Sequence, residues 1–224
     1  MLNLNDIIVV DDVISPQFQD MIERWLLAPA STWSFARDVA LADNVIEKLQ
    51  LNTRPGFSKT LFNIKTGQSN DLYPMILPMV FEAAYKANIN VETVMFSRSF
   101  LTMPIVGDTP DTFDHIHVDT PDEHIVCLYY ANDADGDTIF FDRTVHDMLE
   151  EQSVKAELAG KPTFYDQNLL ELIDSKVNKK DFKIIKRVTP KKGRVVFFNG
   201  LRYHTASRCT NGHRLIVNTC FRDE

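Results

Sequence analysis

The run HIVCLYYANDADGDTIFF, residues 124–141, decides the fold class. Two apolar, β-favouring segments, residues 124–131 and 138–141, flank turn-forming residues at 133–137. Similar short runs follow one another over the second half of the sequence, with turn signals at residues 190–193 and 211–212. The further predicted strands are residues 93–101, 115–119, 182–188, 194–198 and 214–221. This pattern predicts a mainly β core of sandwich or barrel type.

The N-terminal part differs, because its apolar residues recur at helical spacing. Residues 7–10 predict a short strand, and residues 16–27 an amphipathic helix with Ser15 as its N-cap. A second helix is predicted over residues 71–86, where Pro78 would bend the helix or delay its start. We therefore expect an α+β protein in which helices flank a β core.

One polar, helix-favouring segment interrupts the β pattern at about residues 145–180. We interpret it as a helical insert that serves as a lid, a dimer contact or a surface elaboration. The predicted organisation is one domain over residues 1–224. Residues 1–90 would supply the N-terminal strand and supporting helices, and residues 91–224 the β core. Residues 31–68 are harder to interpret, apart from a strand-like run at 60–64.

Composition limits the partners and the compartment. The formal net charge of −7 argues against nucleic acid as a partner. Three cysteines, an odd number without a CxxC pair, favour a reducing, cytoplasmic location over a disulfide framework. No apolar run approaches the ~18 residues of a membrane span, so we expect a soluble protein without a membrane partner.

The tripeptide His117-Val118-Asp119 has the residue types and spacing of a metal site. On an extended strand, residues two apart point to the same side, with Cα atoms about 6–7 Å apart. Both side chains can therefore converge on one ion. A second histidine, for which His204 is the candidate, would complete a facial set of two histidines and one carboxylate. That set suits iron(II) and leaves coordination positions open.

Arg214 strengthens the argument, because it opens an apolar strand ten positions after His204. A buried guanidinium without an anionic partner is very costly. A ligand carboxylate, bound through two hydrogen bonds, would satisfy it. Arg208 is a nearby alternative for the same role.

Five segments in this order resemble the prolyl-4-hydroxylase-like branch of the iron(II)/2-oxoglutarate-dependent oxygenase superfamily, in particular its small marine bacterial and phage members. They are IIVVDDVISPQFQDMI, HIHVD, IVCLYYANDADGDTIFF, VTPKKGRVVFFNGLRYHTAS and GHRLIVNTCF. The resemblance covers most of the chain except the insert and residues 33–68. It implies a double-stranded β-helix, or jelly-roll, core. It also implies a dioxygenase that hydroxylates a peptidyl proline, an amino acid or a small molecule while 2-oxoglutarate is decarboxylated to succinate.

The resemblance also implies residue roles. The residues that would hold Fe(II) and form the catalytic centre are His117, Asp119 and His204. Arg214 would bind the distal carboxylate of 2-oxoglutarate, and Tyr130 matches a position that hydrogen-bonds the same carboxylate. Thr138 is a weaker candidate for co-substrate binding. Fe(II), 2-oxoglutarate and O2 are the implied cofactor and co-substrates, with ascorbate as an auxiliary reductant.

Some positions depart from the family pattern or stay ambiguous. Met103 stands near the place where many relatives have a tyrosine that contacts the co-substrate, and Ile216 replaces a polar residue found in some members. The grip on the inner carboxylate of 2-oxoglutarate is therefore open, with Arg98 and Thr102 as candidates. His115 is an alternative metal ligand or a wall of the substrate pocket.

Two other functions compete with the oxygenase hypothesis. The first is a jelly-roll module that binds metal or ligand without catalysis. The second is a nucleic-acid dealkylase, whose Arg-x-Asn-x-Thr-x-Arg run the residues after Arg214 do not match in spacing. The sequence leaves the substrate and the oligomeric state open.

Overall fold

The computed structural model describes residues 6–40, 54–109, 111–160 and 164–223. Antiparallel strands dominate, with helices before and between them, as predicted. The strands are β1 (Ile7–Val10), β2 (Ser34–Ala36), β3 (Gly56–Asn63), β4 (Gln68–Ser69), β5 (Thr93–Thr102), β6 (Ile125–Tyr130), β7 (Thr138–Thr144), β8 (Ile184–Val188), β9 (Val195–Asn199), β10 (Arg202–Ala206) and β11 (Arg214–Arg222). The helices are α1 (Pro16–Leu27), α2 (Tyr73–Lys86), α3 (Val145–Glu150), α4 (Gln152–Leu158) and α5 (Gln167–Lys176), with a 3-10 turn at Lys179–Asp181.

In the described ranges the strands form two sheets. The larger sheet has the order β1-β9-β6-β11-β5-β3-β2, with β4 paired to β3. The smaller sheet has the order β10-β7-β8. The N-terminal part therefore adds β2, β3 and β4 to the large sheet, and of these only β3 matches a strand-like run, residues 60–64, that the sequence indicated.

Strand β6 explains why the core strands are continuous apolar runs. Its odd-numbered side chains, such as Cys127 and Tyr129, pack with those of α1 and α2 on one face of the large sheet. Its even-numbered side chains, such as Leu128 and Tyr130, pack between the two sheets. Because alternate strand residues point to opposite faces and both faces are covered, all six residues are buried.

A third apolar layer lies between the smaller sheet and the insert. Ile139 and Phe141 of β7 pack there against Met148, Leu170 and Ile173 of the insert helices. Each such fully buried apolar side chain contributes about 1.5–3 kcal/mol to folding. The insert is therefore part of the packed structure rather than a loosely attached segment, and its predicted helical character is confirmed.

The two N-terminal helices are also confirmed. Ser15 caps α1 by accepting a hydrogen bond from the Phe18 N–H at 3.3 Å, and Pro16 follows as the first helical residue. Helix α2 begins at Tyr73 and continues through Pro78, so the proline does not delay its start. Buried Met79 and Ala83 hold the helix on the sheet beyond the proline.

Near the site, one strand prediction was wrong and one strand was missed. Residues 115–119 do not form a regular strand. In the described ranges, their backbone pairing is limited to one isolated β-bridge, between His117 and His204. Strand β10, by contrast, was not predicted, because its inward side chains include Arg202 and His204 rather than an apolar series. At both places the residue types serve the candidate site rather than apolar packing, so the strand pattern in the sequence is a poor guide there.

Two further properties concern the cysteines and the character of the helices. Cys127, Cys209 and Cys220 are buried and free. Among the described helices, none combines the length and the apolar character that a membrane crossing requires.

Candidate active site

Three metal-ligating side chains meet in one cavity of about 690 Å³. The candidate ligand atoms of His117, Asp119 and His204 lie within 4.8 Å of one another. His204 Nε2 is 3.7 Å from Asp119 Oδ2, and the two imidazole centroids are 4.7 Å apart. Residues distant in sequence thus form a group compact enough to surround one ion.

Backbone pairing brings the two histidines together. The His117 N–H donates to the His204 carbonyl at 3.0 Å, and the His204 N–H donates to the His117 carbonyl at 3.0 Å. The pairing of β10 with β7 shifts between Arg202 and His204. Such an irregularity re-aims a side chain, and irregularities of this kind are common near functional sites.

Both imidazoles are oriented by the same kind of hydrogen bond. The Nδ1 atom of His117 lies 2.8 Å from the His115 carbonyl, and that of His204 lies 3.0 Å from the Arg202 carbonyl. A carbonyl can only accept, so each Nδ1 carries a proton, and Nε2 is the ring nitrogen left to bind a cation. Burial, and next the neighbouring His204, lower the pKa of His117 to about 3, so this ring is neutral and ready to bind a cation.

Asp119 is held by Asn218 of β11. The Asn218 Nδ2 atom donates to Oδ1 and Oδ2 of Asp119 at 3.0 and 3.1 Å. Burial opposes ionisation of Asp119, but the charges of His204 and Arg98 keep its pKa at about 2. The carboxylate is therefore anionic and fixed in orientation.

Asn218 is a site residue that the sequence reasoning missed. It lies on the same strand face as Arg214 and Ile216, because these residues are two apart on β11. If Arg214 faces the cavity, this alternation predicts that Asn218 faces it too. Its contact with Asp119 depends on the fold and has no local signature.

Arg214 and Thr138 form the other end of the cavity. Arg214 is only 6% exposed, and its Nη2 atom donates to Thr138 Oγ1 at 2.9 Å. Tyr130 is fully buried beside them; its hydroxyl donates to Thr138 Oγ1 at 2.7 Å, and its ring centroid is 5.7 Å from Arg214 Cζ. Thr138 and Arg214 line the cavity directly. Tyr130 supports them from behind rather than reaching into the space.

Arg208, the alternative to Arg214, is engaged elsewhere. It forms ion pairs with Asp108 at 2.8 Å and Asp114 at 3.2 Å. Buried Arg54 joins the same network through Asp108 at 2.6 Å and through the Met103 carbonyl at 3.0 Å. This network engages Arg208 away from the cavity, so of the two alternatives Arg214 is the one that lines it.

The remaining candidates take other positions. His115 lies outside the cluster of ligand atoms, with Nε2 3.9 Å from Asp174 of α5. Met103 has a 45% exposed side chain and does not line the cavity, whereas Arg98, Thr102 and Ile216 do.

His124 lies on the other side of Asp119. Its candidate ligand atom, with those of Asp119 and Cys220, forms a second close group. Its Nδ1 atom lies 2.6 Å from the Asp122 carbonyl. Residue 200 is a glycine because any Cβ there would overlap the His124 ring. His124 was not singled out by its sequence context.

The insert supplies one wall of the cavity. Residues of α5, including Leu170, Glu171 and Asp174, line it together with Lys179. The Lys179 Nζ atom pairs with Asp174 at 2.6 Å and donates to the Ile116 carbonyl at 2.7 Å. It also lies 5.0 Å from the ring centroid of Tyr203. Lys179 thus contacts the residues directly before His117 and His204.

Comparison with known proteins gives no match at the level of sequence families. No family model matches the sequence, and no curated protein matches it.

Solved structures, in contrast, match nearly the whole chain. The non-heme alpha-ketoglutarate-dependent carbocyclase SnoK from nogalamycin biosynthesis aligns with a TM-score of 0.59 at 11% identity, covering 97% of this chain and 80% of that one. A prolyl hydroxylase from Trichoplax adhaerens, in complex with a hypoxia-inducible-factor peptide, aligns with a TM-score of 0.53 at 11% identity, covering 98% and 84%. The epimerase SnoN in complex with Fe3+, alpha-ketoglutarate and nogalamycin RO aligns at 0.52 and 14%, covering 97% and 78%. The chain therefore shares the fold of 2-oxoglutarate/iron oxygenases, including prolyl hydroxylases.

Proposed function

We propose that this protein is an iron(II)- and 2-oxoglutarate-dependent dioxygenase with a double-stranded β-helix core. One observation carries the proposal. The two histidines and the aspartate converge at one part of a cavity that a buried arginine also lines. The likeness in fold to oxygenases, one of them with Fe3+ and alpha-ketoglutarate bound, supports it independently.

The described residues fit the ion. Two imidazole nitrogens and one carboxylate oxygen are the ligands of the facial iron(II) site, which leaves positions open for other ligands. The Nδ1 hydrogen bonds of His117 and His204 direct both Nε2 atoms away from the backbone. Asn218 fixes the Asp119 carboxylate in turn, as outer-sphere partners of metal ligands do.

The residues at the other end fit a dicarboxylic acid. In the described part of the chain, the buried Nε atom of Arg214 has no hydrogen-bond partner. A bound carboxylate would satisfy it together with the remaining guanidinium hydrogens. Thr138 would contribute its hydroxyl to the same carboxylate, while burial raises the pKa of Tyr130 and keeps its hydroxyl a donor to Thr138. We therefore assign Arg214, Thr138 and Tyr130 to co-substrate binding, Tyr130 acting through Thr138.

When bound, iron and 2-oxoglutarate would supply oxidative decarboxylation with O2 as the oxidant: one oxygen atom would enter succinate as carbon dioxide is released, and the other would hydroxylate a second substrate. The chain's own part is orientation and exclusion of water. Apolar Leu128, Phe198 and Ile216 line the space between the metal-ligating group and Arg214. A ligand that fills this space contacts these apolar side chains in place of water.

For the second substrate we propose a small molecule, an amino acid or a peptidyl proline. Residues 36–40 line the cavity from one side and α5 from another, which supports the lid role among those considered for the insert. We also propose a cytoplasmic location, which three free cysteines support.

The test is the formation of succinate from 2-oxoglutarate in the presence of Fe(II), O2 and ascorbate. We expect slow turnover without a second substrate, and none after His204→Ala. Binding of the ion and of 2-oxoglutarate with no turnover under any substrate would favour the non-catalytic module. Failure to bind either would refute the proposal.

A further inference from the structure

We infer that Arg98 is a second carboxylate-binding residue, at the metal end of the cavity. The inference rests on the proposed function, because it concerns what binds beside the ion. The chemistry it names is a carboxylate, which either the keto-acid end of the co-substrate or the second substrate would provide.

The sheet directs Arg98 into the cavity. Arg98 lies opposite Asn218 in the pairing of β5 with β11, while Thr102 lies opposite Arg214. Four residues of strand separate the two pairs, about 13 Å at the usual rise. Arg98 and Arg214 are therefore at opposite ends of one surface, and both line the same cavity.

Aromatic rings hold the Arg98 side chain in place. Its Cζ atom is 4.6 Å from the ring centroid of Phe96 and 5.5 Å from that of Phe100, the residues two before and two after it. Cation–π contacts of this kind orient a guanidinium without neutralising it. Its side chain remains 36% exposed, whereas Arg214 is nearly covered. The head group is thus preorganised and accessible to a ligand.

Charge around Arg98 favours an anion. Within the described ranges, Asp119 is the only carboxylate within 4.0 Å of it, at 3.6 Å from Nη2. Asp119 would be shared with the ion, whose charge repels the guanidinium. The charges of a divalent ion, Asp119, 2-oxoglutarate and Arg214 cancel, so Arg98 adds one uncompensated positive charge.

Two other acids that line the cavity are paired with other cations. Asp114 pairs with Arg208 at 3.2 Å. Asp174 pairs with Lys179 at 2.6 Å. In the part of the chain that the structure describes, the buried Nε atom of Arg98 also finds no acceptor. A guanidinium in these surroundings is matched by a carboxylate that accepts two parallel hydrogen bonds.

The experiment compares Arg98→Met with Arg98→Lys and the wild type by calorimetric titration of the Mn(II)-loaded protein. Methionine keeps an unbranched apolar stem between the two phenylalanine rings and removes the charge. The first probes are 2-oxoglutarate and 2-oxobutanoate, which keeps the keto-acid end and lacks the distal carboxylate. Acetate and L-proline are then titrated into the complex already loaded with 2-oxoglutarate.

If Arg98 binds the keto-acid end, Arg98→Met weakens both keto acids at least tenfold, and Arg98→Lys restores part of the loss. If it binds the second substrate, the keto acids bind unchanged, and the acetate or L-proline binding of the wild type weakens at least fivefold in Arg98→Met. Equal binding of all four probes by wild type and Arg98→Met overturns the inference and leaves the proposed function standing. A wild type that binds neither Mn(II) nor 2-oxoglutarate overturns both.

Discussion

The two arginines of the cavity are built differently, although they lie on adjacent strands of one sheet. Arg214 is nearly covered, contacts Thr138 and has Tyr130 packed beside it. Arg98 is partly exposed, lies between two phenylalanine rings and faces the metal-ligating group. One end therefore has a covered, hydrogen-bonded guanidinium, and the other has an accessible one.

This difference separates two tasks. A co-substrate that never changes is best bound by a rigid, fully buried group, because little freedom is lost on binding. A group that binds a more variable ligand is better left accessible, with its charge not neutralised by a neighbouring side chain. The proposed metal ligands and Asn218 lie at the Arg98 end, and binding at both ends should depend on them. The following experiments probe that division.

The largest expected effect comes from His204→Ala. The change removes one of three candidate ligands, and we expect the affinity for Mn(II) or Fe(II) to fall at least about 100-fold. Binding at both ends of the cavity should fail with it. Calorimetric titration measures the affinity, and His146→Ala, on α3 outside the cavity, is the control. Unchanged metal affinity in His204→Ala would place the ion elsewhere.

Arg214→Met should affect one end only. Leaving a ligand carboxylate without its buried partner costs about 2–3 kcal/mol, so the dissociation constant for 2-oxoglutarate should rise about 30-fold or more. Metal affinity should stay within about threefold. A larger effect of Arg98→Met than of Arg214→Met on 2-oxoglutarate binding would reverse the assignment of the two ends.

Asn218→Ala should weaken metal binding about tenfold, because the Asp119 carboxylate loses both hydrogen bonds that orient it. Thr219→Val is the matched control: Thr219 is buried on the opposite face of β11, where it bonds Ser97 at 2.8 Å. Both variants lose a buried hydrogen bond, but only the first should alter metal affinity. Equal effects on the metal would mean that Asn218 acts through general stability.

The smallest effect concerns the lid. Lys179→Met leaves Asp174 partly buried without its cation, and we expect a loss of about 1 kcal/mol in the free energy of unfolding, measured with urea. The double variant Lys179→Met with Asp174→Leu should recover part of that loss, because no unpaired charge remains. A double variant less stable than the sum of the single changes would contradict the pairing.

The strands β6 and β9 could be predicted because both of their faces are covered by apolar layers, which makes their sequences nearly continuous apolar runs. Helices α1 and α2 were predictable from their apolar spacing. Strand β10 was not, because the site requires His204 at an inward position and a polar residue hides the strand pattern.

Within the site, four residues could be recognised in the sequence by their type: His117, Asp119, His204 and Arg214. Few structural roles require a histidine, an aspartate or an arginine at such positions. The roles of Asn218 and Lys179 could not be predicted in this way. Asn218 matters through contact with Asp119 across the sheet, and Lys179 through contact of the insert with the His117 segment. Such contacts depend on the relative placement of distant elements.

The central claim is that one ion binds among His117, Asp119 and His204. Crystals grown without oxygen in the presence of Mn(II) and 2-oxoglutarate test it directly. We predict an ion about 2.0–2.3 Å from both Nε2 atoms and one Asp119 oxygen, with the distal carboxylate of 2-oxoglutarate on Arg214. An ion held instead by Asp119, His124 and Cys220, with His204 uncoordinated, would contradict the account.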